Sequence, residues 1–282
     1  MSLESYVTGL MKEPSPKGMD RLVLSGLSQL EKMYFSQVEK KRKADMAAAV
    51  SAHVPVISVG NITAGGTGKT PCILMLAELF FSIGKKPAII SRGYKSGLEK
   101  EGGCVSDGRS ILVSQQMAGD EPYMMARKLP SVPIFVGKDR IASVKRAEEM
   151  GVGILLLDDG FQYWKLRRDQ DIILIDATNP FGYGHGLPRG LLREPLDALS
   201  RASLFILTKS DQVHLTDLME IREELARLAP GVPVLSSTHA PSKVVPYEKW
   251  KAFLHEGTLE DVRMKKAYLQ SQIGRASCRE RV

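Results

Sequence analysis

Residues 54–79 read VPVISVGNITAGGTGKTPCILMLAEL, and this segment carries the strongest structural signal in the chain. It opens with a short apolar run rich in β-branched residues and passes through a glycine-rich segment. After Pro71 the apolar residues recur with the spacing of a helix. A strand, a glycine-rich turn and a helix in this order are the context that a phosphate-binding loop requires. The segment therefore predicts a binding site for a nucleoside triphosphate.

The glycine-rich segment follows the pattern G-x-x-x-x-G-K-[ST], with Thr63 in place of the first glycine. Its glycines allow successive backbone N–H groups to point at an anion, and the helix N-terminus adds partial positive charge. We expect Lys69 to reach the outer phosphates of the nucleotide and the Thr70 hydroxyl to ligate Mg²⁺. An ordinary glycine-rich turn with an unrelated lysine does not explain the flanking strand and helix. The residues predicted to bind the triphosphate are Thr63, Ala64, Gly65, Gly66, Thr67, Gly68, Lys69 and Thr70.

The composition is that of an ordinary folded protein. Of 282 residues, 43% are hydrophobic and 25% are charged, which suits one large α/β domain or one domain and part of a second. The net charge of +7 favours an anionic partner without choosing among nucleotide, lipid headgroup and nucleic acid. Three scattered cysteines indicate neither a disulfide framework nor a zinc site, and favour a reducing compartment. We expect no secretion signal, and no apolar run reaches the ~20 residues of a membrane-spanning helix.

The last ten residues, 273–282, read IGRASCRERV. This is the translation of a common sequencing-library adapter, so we expect that these residues are not protein-coding in origin. Without them the formal net charge falls from +7 to +5, because three arginines and one glutamate are removed. A natural basic tail is the alternative.

Residues 1–17 form a short preamble, and a long helix is predicted from about Met19 to Ala49, where apolar residues recur every three to four positions. The basic cluster at 40–43 lies near its end. The pattern fits equally well a surface helix packed on the core and an amphipathic helix at an anionic membrane surface. Residues 1–50 are therefore predicted as an N-terminal amphipathic helical segment, and the pattern alone leaves both settings open.

Strand and helix patterns alternate over residues 51–235, which predicts the doubly wound, mostly parallel sheet of an α/β P-loop NTPase. Gly97 to Gly108 reads as a glycine-rich loop within it. The composition changes after residue 235, so residues 236–272 are predicted as a crossover into a smaller second α/β domain. Ser91 and Arg92 follow a predicted strand at its carboxyl end, where open α/β sheets bind ligands.

A second strong signal is the apolar run at 154–157 followed by Asp158 and Asp159. An apolar strand ending in carboxylates is typical of a Walker B element, whose acid holds Mg²⁺. A buried strand that ends in an Asp-Gly turn is the alternative. Further along, Arg189 and Arg193 lie in a Gly/Pro-rich loop and are candidate phosphate clamps, although surface arginines are common in such loops.

Five blocks together resemble the tetraacyldisaccharide 4'-kinase family, the lipid A 4'-kinases of Gram-negative envelope synthesis. They are VGNITAGGTGKTP at 59–71, SRGY at 91–94, GDEP at 119–122, DDGFQ at 158–162 and LPRGLLREP at 187–195. The blocks follow the family's order over about residues 50–240, and Thr63 in place of the first glycine is shared with the family. Family members also carry an amphipathic helix at the inner membrane. The resemblance therefore favours the membrane interpretation of the helix at 19–49 and implies that residues 1–50 are membrane-proximal.

The resemblance implies an ATP- and Mg²⁺-dependent kinase that phosphorylates the 4'-hydroxyl of an acylated glucosamine disaccharide 1-phosphate. It implies a peripheral protein on the cytoplasmic face of the bacterial inner membrane, monomeric and without a nucleic-acid partner. The metal would lie near Thr70, Glu121, Asp158 and Asp159. Asp120 resembles the catalytic base, with Lys69, Arg140 and Arg193 as the basic groups at the migrating phosphate or the substrate's 1-phosphate. The residues expected to face the substrate are Asn61, Ser91, Arg92 and Arg189.

Two departures from the family pattern leave alternatives open. Tyr163 stands where the family usually has histidine, and no His-rich C-terminal segment follows residue 272 to supply the partner of the catalytic aspartate; His239 and His255 do not have that context. The chain as written is therefore either a kinase or an inactive ATP-binding fragment. A nucleotide-driven switch or chaperone is a third interpretation, because TKSD at 208–211 resembles a guanine-reading turn.

Overall fold

The structure, a computed structural model, describes residues 3–12 and 17–238. Within these residues, one eight-stranded sheet forms the centre of the molecule, with the order β3-β4-β2-β5-β1-β6-β7-β8. All neighbouring strands are parallel except the edge strand β3, which runs antiparallel to β4. The strands are β1 (Val56–Gly60), β2 (Pro87–Ser91), β3 (Gly103–Asp107), β4 (Pro133–Val136), β5 (Ile154–Asp158), β6 (Gln170–Asp176), β7 (Leu204–Thr208) and β8 (Val234–Ser236).

Helices cover both faces of this sheet. The described helices are α1 (Leu3–Lys12), α2 (Met19–Ala47), α3 (Lys69–Ser82), α4 (Gln115–Ala118), α5 (Asp120–Lys128), α6 (Arg140–Glu149) and α7 (Leu215–Leu228). Short 3₁₀ turns lie at Gly182–Gly184, Leu196–Arg201 and Ser210–Gln212. None of the helices in the described part of the chain combines the length and apolar content that crossing a bilayer demands.

The core divides into two layers because successive strand residues point to opposite faces. On one face, Ile172 and Leu174 of β6 pack with the apolar residues of α3 and α5. On the other face, Ile173 and Ile175 pack with α7. The apolar residues of α6 complete this second layer next to β2 and β5. Strands buried on both faces read as continuous apolar runs, as the segment at 154–157 does.

The predicted fold class is confirmed: the sheet is doubly wound and mostly parallel, and each predicted strand and helix of residues 51–235 is present. One prediction about local structure is wrong, because the predicted glycine-rich loop from Gly97 to Gly108 contains β3. Helix α1 lies in the preamble, for which no separate element was predicted. Strand β3 is only five residues long, and three of these residues are only partly buried, so tertiary pairing with β4 rather than a strong apolar pattern stabilises it. Residues 239–282, which include His239, His255, the end of the predicted crossover and the predicted adapter-derived tail, lie outside the described residues.

Candidate active site

The phosphate-binding loop lies between the end of β1 and the start of α3. Gly68 has a φ of 87°, a left-handed conformation that turns the chain into the helix at Lys69, and no side chain caps this helix N-terminus. The space around Gly65 and Gly66 is open, because a Cβ on either would meet no atom within 4 Å. Thr67 is buried, and no partner among the described residues lies within hydrogen-bond distance of its hydroxyl oxygen. An open loop with uncapped amides and an unpaired buried hydroxyl fits the phosphates of ATP.

Asn61 holds Lys69 of this loop in place through a hydrogen bond. Its side chain is fully buried, its Oδ1 accepts a hydrogen bond from Lys69 Nζ at 3.0 Å, and its Nδ2 donates to the carbonyl oxygen of Thr63. The sequence predicted that Asn61 faces the substrate. In the structure it is buried next to the loop, where its hydrogen bonds join Thr63 and Lys69, near the two ends of the predicted ATP-binding segment.

Asp158 ends β5, the strand that pairs with β1. Its carboxylate is buried and accepts a hydrogen bond from the Ser91 hydroxyl at 2.9 Å, so Ser91 is also buried rather than exposed to a substrate. Burial raises the pKa of Asp158 to about 6, although the Ser91 hydrogen bond and the charge of Arg140 oppose the shift. This carboxyl is the most strongly perturbed acid of the site, which is a feature of functional positions.

Asp159 has a different environment from its neighbour. Its φ of 47° is a left-handed conformation, and its carboxylate accepts two hydrogen bonds from the Arg193 guanidinium, at 2.7 and 3.1 Å. Lys69 Nζ lies 3.7 Å from the same carboxylate. Burial opposes ionisation, but the hydrogen bonds and charge of Arg193, together with Lys69, hold the pKa of Asp159 below its usual value. Lys69, Asp159 and Arg193 therefore form one charged cluster at the loop.

Arg140 supports this cluster from inside the protein. It is 5% exposed, and its Nη1 donates to the backbone carbonyl oxygen of Asp159 at 3.0 Å. Its guanidinium lies over the ring of Tyr163, 5.0 Å from the centroid, and the Tyr163 hydroxyl accepts the backbone N–H of Arg140. Burial lowers the pKa of Arg140, and the nearby carboxylates of Asp158 and Asp159 oppose that shift. Tyr163 thus holds Arg140, the first residue of α6, in position.

Asp120 and Glu121 lie in the first turn of α5, and both are exposed. Asp120 Oδ1 accepts a hydrogen bond from Gln115 Nε2 at 2.7 Å. The charge of Glu121 contributes to the raised pKa of Asp158, which puts Glu121 in the neighbourhood of the Walker B acids. Two carboxylates at a helix N-terminus are favourable because the helix dipole stabilises their charge.

Two predicted substrate residues have partners outside the charged cluster. Arg92 is half exposed and pairs with Glu99 at 2.8 Å. Arg189 donates from Nη1 to the Ser28 hydroxyl of α2 at 2.7 Å. The structure therefore brings Lys69, Asp159, Arg193 and Arg140 together, but does not join Arg92 or Arg189 to them.

Sequence reasoning missed Gln162, Glu194 and Arg201. Gln162 Nε2 donates to the carbonyl oxygen of Asn61 at 3.1 Å and to Glu194 Oε1 at 3.0 Å. Glu194 is 1% exposed and pairs with Arg201 at 2.8 Å. This network joins the ends of β1 and β5 to the 187–195 block. Its only sequence signal is that Gln162 and Glu194 fall inside the DDGFQ and LPRGLLREP blocks.

The residues also fit Mg²⁺. Among the described residues there is no group of three or more His, Cys, Asp or Glu that could hold a metal by itself. Magnesium sites in phosphoryl-transfer proteins use one or two carboxylates together with substrate phosphates, and oxygen is the ligand that Mg²⁺ prefers. Asp158, Glu121 and the Thr70 hydroxyl offer this type of donor.

A profile of the tetraacyldisaccharide-1-P 4'-kinase family matches residues 21–277, which is most of the chain. The chain belongs to this family. A tetraacyldisaccharide 4'-kinase of Halothermothrix orenii is 42% identical over 241 residues, which are 84% of this chain and 62% of the relative. A tetraacyldisaccharide 4'-kinase of Desulfatibacillum aliphaticivorans is 47% identical over 193 residues, 68% of this chain and 50% of the relative.

Among solved structures, the crystal structure of the 4'-kinase family member LpxK from Aquifex aeolicus in complex with ATP is similar over 89% of this chain and 78% of that chain. The TM-score is 0.64 and the sequence identity is 29%. The α/β P-loop NTPase fold predicted from the sequence is therefore confirmed. The chain spans between half and two thirds of the length of the two 4'-kinase relatives that it matches.

Proposed function

We propose that this chain transfers the γ-phosphate of ATP to the 4'-hydroxyl of a tetraacylated glucosamine disaccharide 1-phosphate. The observation that carries the proposal is the cluster of Lys69, Asp159 and Arg193 beside an open, uncapped helix N-terminus. Two cations held by one carboxylate are suited to a phosphoryl group that is anionic before, during and after transfer. Residues 51–235 are the proposed kinase domain, preceded by the helical segment 1–50 and followed by the start of a second domain at 236–272.

In the proposed reaction, the 4'-oxygen attacks the γ-phosphorus while the bond from that phosphorus to the oxygen of ADP breaks. Asp120 accepts the proton of the attacking hydroxyl, a role that its exposed position at the start of α5 supports. Lys69 and Arg193 hold the phosphate oxygens, and buried Arg140 keeps Asp159 in place. Arg92 and Arg189 remain the proposed contacts of the acceptor, while Ser91 and Asn61 act through Asp158 and Lys69.

We assign Mg²⁺ to Asp158, with Glu121 and Thr70 as further oxygen donors. Arg193 and Lys69 already occupy the carboxylate of Asp159, whereas the Asp158 carboxylate has only the Ser91 hydroxyl as a hydrogen-bond donor among the described residues. When bound, the ion would neutralise charge on the phosphates.

We also propose that the protein acts as a monomer on the cytoplasmic face of the inner membrane. Met19, Leu22, Leu30 and Met33 are all at least half exposed on α2. Their spacing of three, eight and three residues places them on one side of the helix. A row of exposed apolar residues next to a basic cluster is suited to an anionic lipid surface.

The test measures phosphate transfer from ATP to the tetraacyldisaccharide 1-phosphate in detergent micelles, catalysed by the 282-residue chain. We expect Asp120→Asn to reduce transfer at least a hundredfold while ATP affinity stays unchanged, because the base contacts the acceptor rather than the nucleotide. Arg227→Gln on α7 is the matched surface control. ATP binding without transfer by the parent chain would instead support the inactive-fragment interpretation, and a preference for GTP would support the switch.

A further inference from the structure

Helix α2 contacts the loop that carries Arg193, here called the 182–195 loop. Glu31 Oε1 accepts the backbone N–H of Gly186 at 2.6 Å, and its Oε2 lies 3.4 Å from His185 Nδ1. Tyr34 donates its hydroxyl to the carbonyl oxygen of Arg193 at 3.0 Å. These contacts, with the Arg189–Ser28 hydrogen bond, repeat at helical spacing along one side of α2.

The fit between the helix and the loop is tight. A Cβ on Gly186 would lie 2.2 Å from Cζ of Phe35, so only glycine allows this approach without a shift. Tyr34 is partly buried, and burial raises the pKa of its hydroxyl, which keeps it protonated as a donor. The same side of α2 therefore offers an acceptor, a donor and an aromatic ring to one loop.

The loop is fixed to the phosphate-binding segment on its other side. The backbone N–H of Arg193 donates to the carbonyl oxygen of Ile62 at 2.8 Å, and Ala64 donates to the carbonyl oxygen of Leu191 at 2.7 Å. The peptide groups of Arg193 are thus held by the end of β1 on one side and by α2 on the other. Its guanidinium then reaches Asp159 and lies 3.4 Å from Asn61 Oδ1.

We propose that Tyr34 and Glu31 are positioning residues, through which α2 sets the Arg193 guanidinium at the γ-phosphate position. This inference rests on the proposed function, because it assumes that Arg193 meets the phosphate. It gives α2 a task on its inner side that is separate from the exposed apolar row on its outer side. The predicted consequence is that changes on α2 alter nucleotide recognition about 160 residues away in sequence.

The experiment measures the dissociation constants of ATP and ADP with Mg²⁺ by titration calorimetry and uses their ratio. Only ATP has the γ-phosphate, so the ratio reports on Arg193 and does not require phosphate transfer. We expect Arg193→Ala to lower the preference for ATP by about tenfold or more, as for loss of a charge-assisted hydrogen bond. Tyr34→Phe should lower it about threefold to tenfold, as for one neutral hydrogen bond. In the Arg193→Ala background, Tyr34→Phe should change nothing further.

Two controls separate positioning from packing. Tyr6→Phe removes the hydrogen bond from Tyr6 to Asp20 at the far end of α2, and should leave the ratio within twofold of the parent. Glu31→Ala should lower the ratio as Tyr34→Phe does, whereas Glu31→Gln, which keeps an acceptor for Gly186, should restore most of it. Thermal unfolding of each variant identifies any that fail to fold, and the glutamate pair then carries the test.

The possible results are distinguishable. Equal effects of Tyr34→Phe with and without Arg193, or no effect of either α2 residue while Arg193→Ala acts, would refute the positioning role alone. No effect of Arg193→Ala would refute both this role and the phosphate contact under the proposed function. If the parent chain transfers no phosphate while the ratios of the ATP and ADP dissociation constants change as expected, only the proposed function would be contradicted.

Discussion

Replacing Asp158 with asparagine should stabilise the nucleotide-free protein at neutral and alkaline pH. Burial raises the pKa of this carboxyl from 3.8 to about 6, against the opposing effects of Ser91 and Arg140. A raised pKa means that the folded state binds the proton more tightly than the unfolded state. The free energy of unfolding therefore falls as the pH rises between these two values, and the cost is fully present above pH 6.

The magnitude follows from the size of the shift. Each pKa unit corresponds to about 1.4 kcal/mol, so an ionised Asp158 costs the folded state about 3 kcal/mol at pH 8. At pH 4.5 the carboxyl is protonated in most folded molecules, and the cost is only about 1 kcal/mol. Asparagine has nearly the same shape, keeps an acceptor for the Ser91 hydroxyl and never ionises. Asp158→Asn should thus gain about 2 kcal/mol relative to the parent between these two pH values.

The assay is urea unfolding of both proteins from pH 4.5 to pH 8, with EDTA and without nucleotide. Asp107→Asn is a control of opposite sign, because backbone N–H groups of Ser110 and Arg109 lower the pKa of Asp107. That variant should lose stability at high pH and approach the parent as the pH falls. A constant difference between Asp158→Asn and the parent across the whole range, or a destabilised variant at pH 8, would refute the reasoning about burial.

Two further predictions concern packing around the site. Glu194→Ala should lower the free energy of unfolding by about 3 kcal/mol, because it leaves the largely buried Arg201 guanidinium without its carboxylate. The control is Glu224→Ala, which breaks the exposed pair with Arg227 and should cause no measurable loss in the same urea titration. Gly60→Ala should cost about 1–3 kcal/mol and weaken ATP binding, because the new Cβ would lie 2.6 Å from Phe161 Cβ and 2.9 Å from its backbone nitrogen. Gly26→Ala, at an exposed helical position with open space, should instead raise the melting temperature. Equal effects of the two glycine substitutions would contradict the steric argument.

The sequence was sufficient for every strand of the sheet except β3, because the signals of the other strands are local. Strands such as β5 are continuous apolar runs, and Gly68 and Lys69 mark the turn into α3. Strand β3 lacked such a signal, since the pattern of Gly103–Asp107 is weak and pairing with β4 supplies its stability. The apolar pattern of a segment therefore predicts a strand only where that pattern, rather than pairing with a neighbouring strand, determines the local structure.

The site was predictable as a set of residues but not as a set of contacts. The block motifs named Lys69, Asp158, Asp159 and Arg193, yet nothing in their spacing shows that Arg193 contacts Asp159 rather than solvent. The polar contacts of α2 with the 182–195 loop join residues 155 to 161 positions apart. Such contacts depend on how two loops and a helix pack, which periodicity does not encode.

Asp158 and Asp159 show why adjacent identical residues acquire different chemistry. The left-handed backbone at Asp159 sends its carboxylate toward Arg193 and Lys69, whereas Asp158 stays in the strand and meets the Ser91 hydroxyl. Two cations lower the pKa of one acid, and burial raises the pKa of the other. Under the proposed function, Asp159 keeps Lys69 and Arg193 at the phosphate position before ATP arrives, because the two cations already balance its charge. Among the described residues no cationic side chain forms an ion pair with Asp158, and the charge of Arg140 offsets only part of the effect of burial. A divalent ion would therefore relieve a cost that the folded protein otherwise bears. On this reasoning, Mg²⁺ with ATP should stabilise the parent chain more than it stabilises Asp158→Asn.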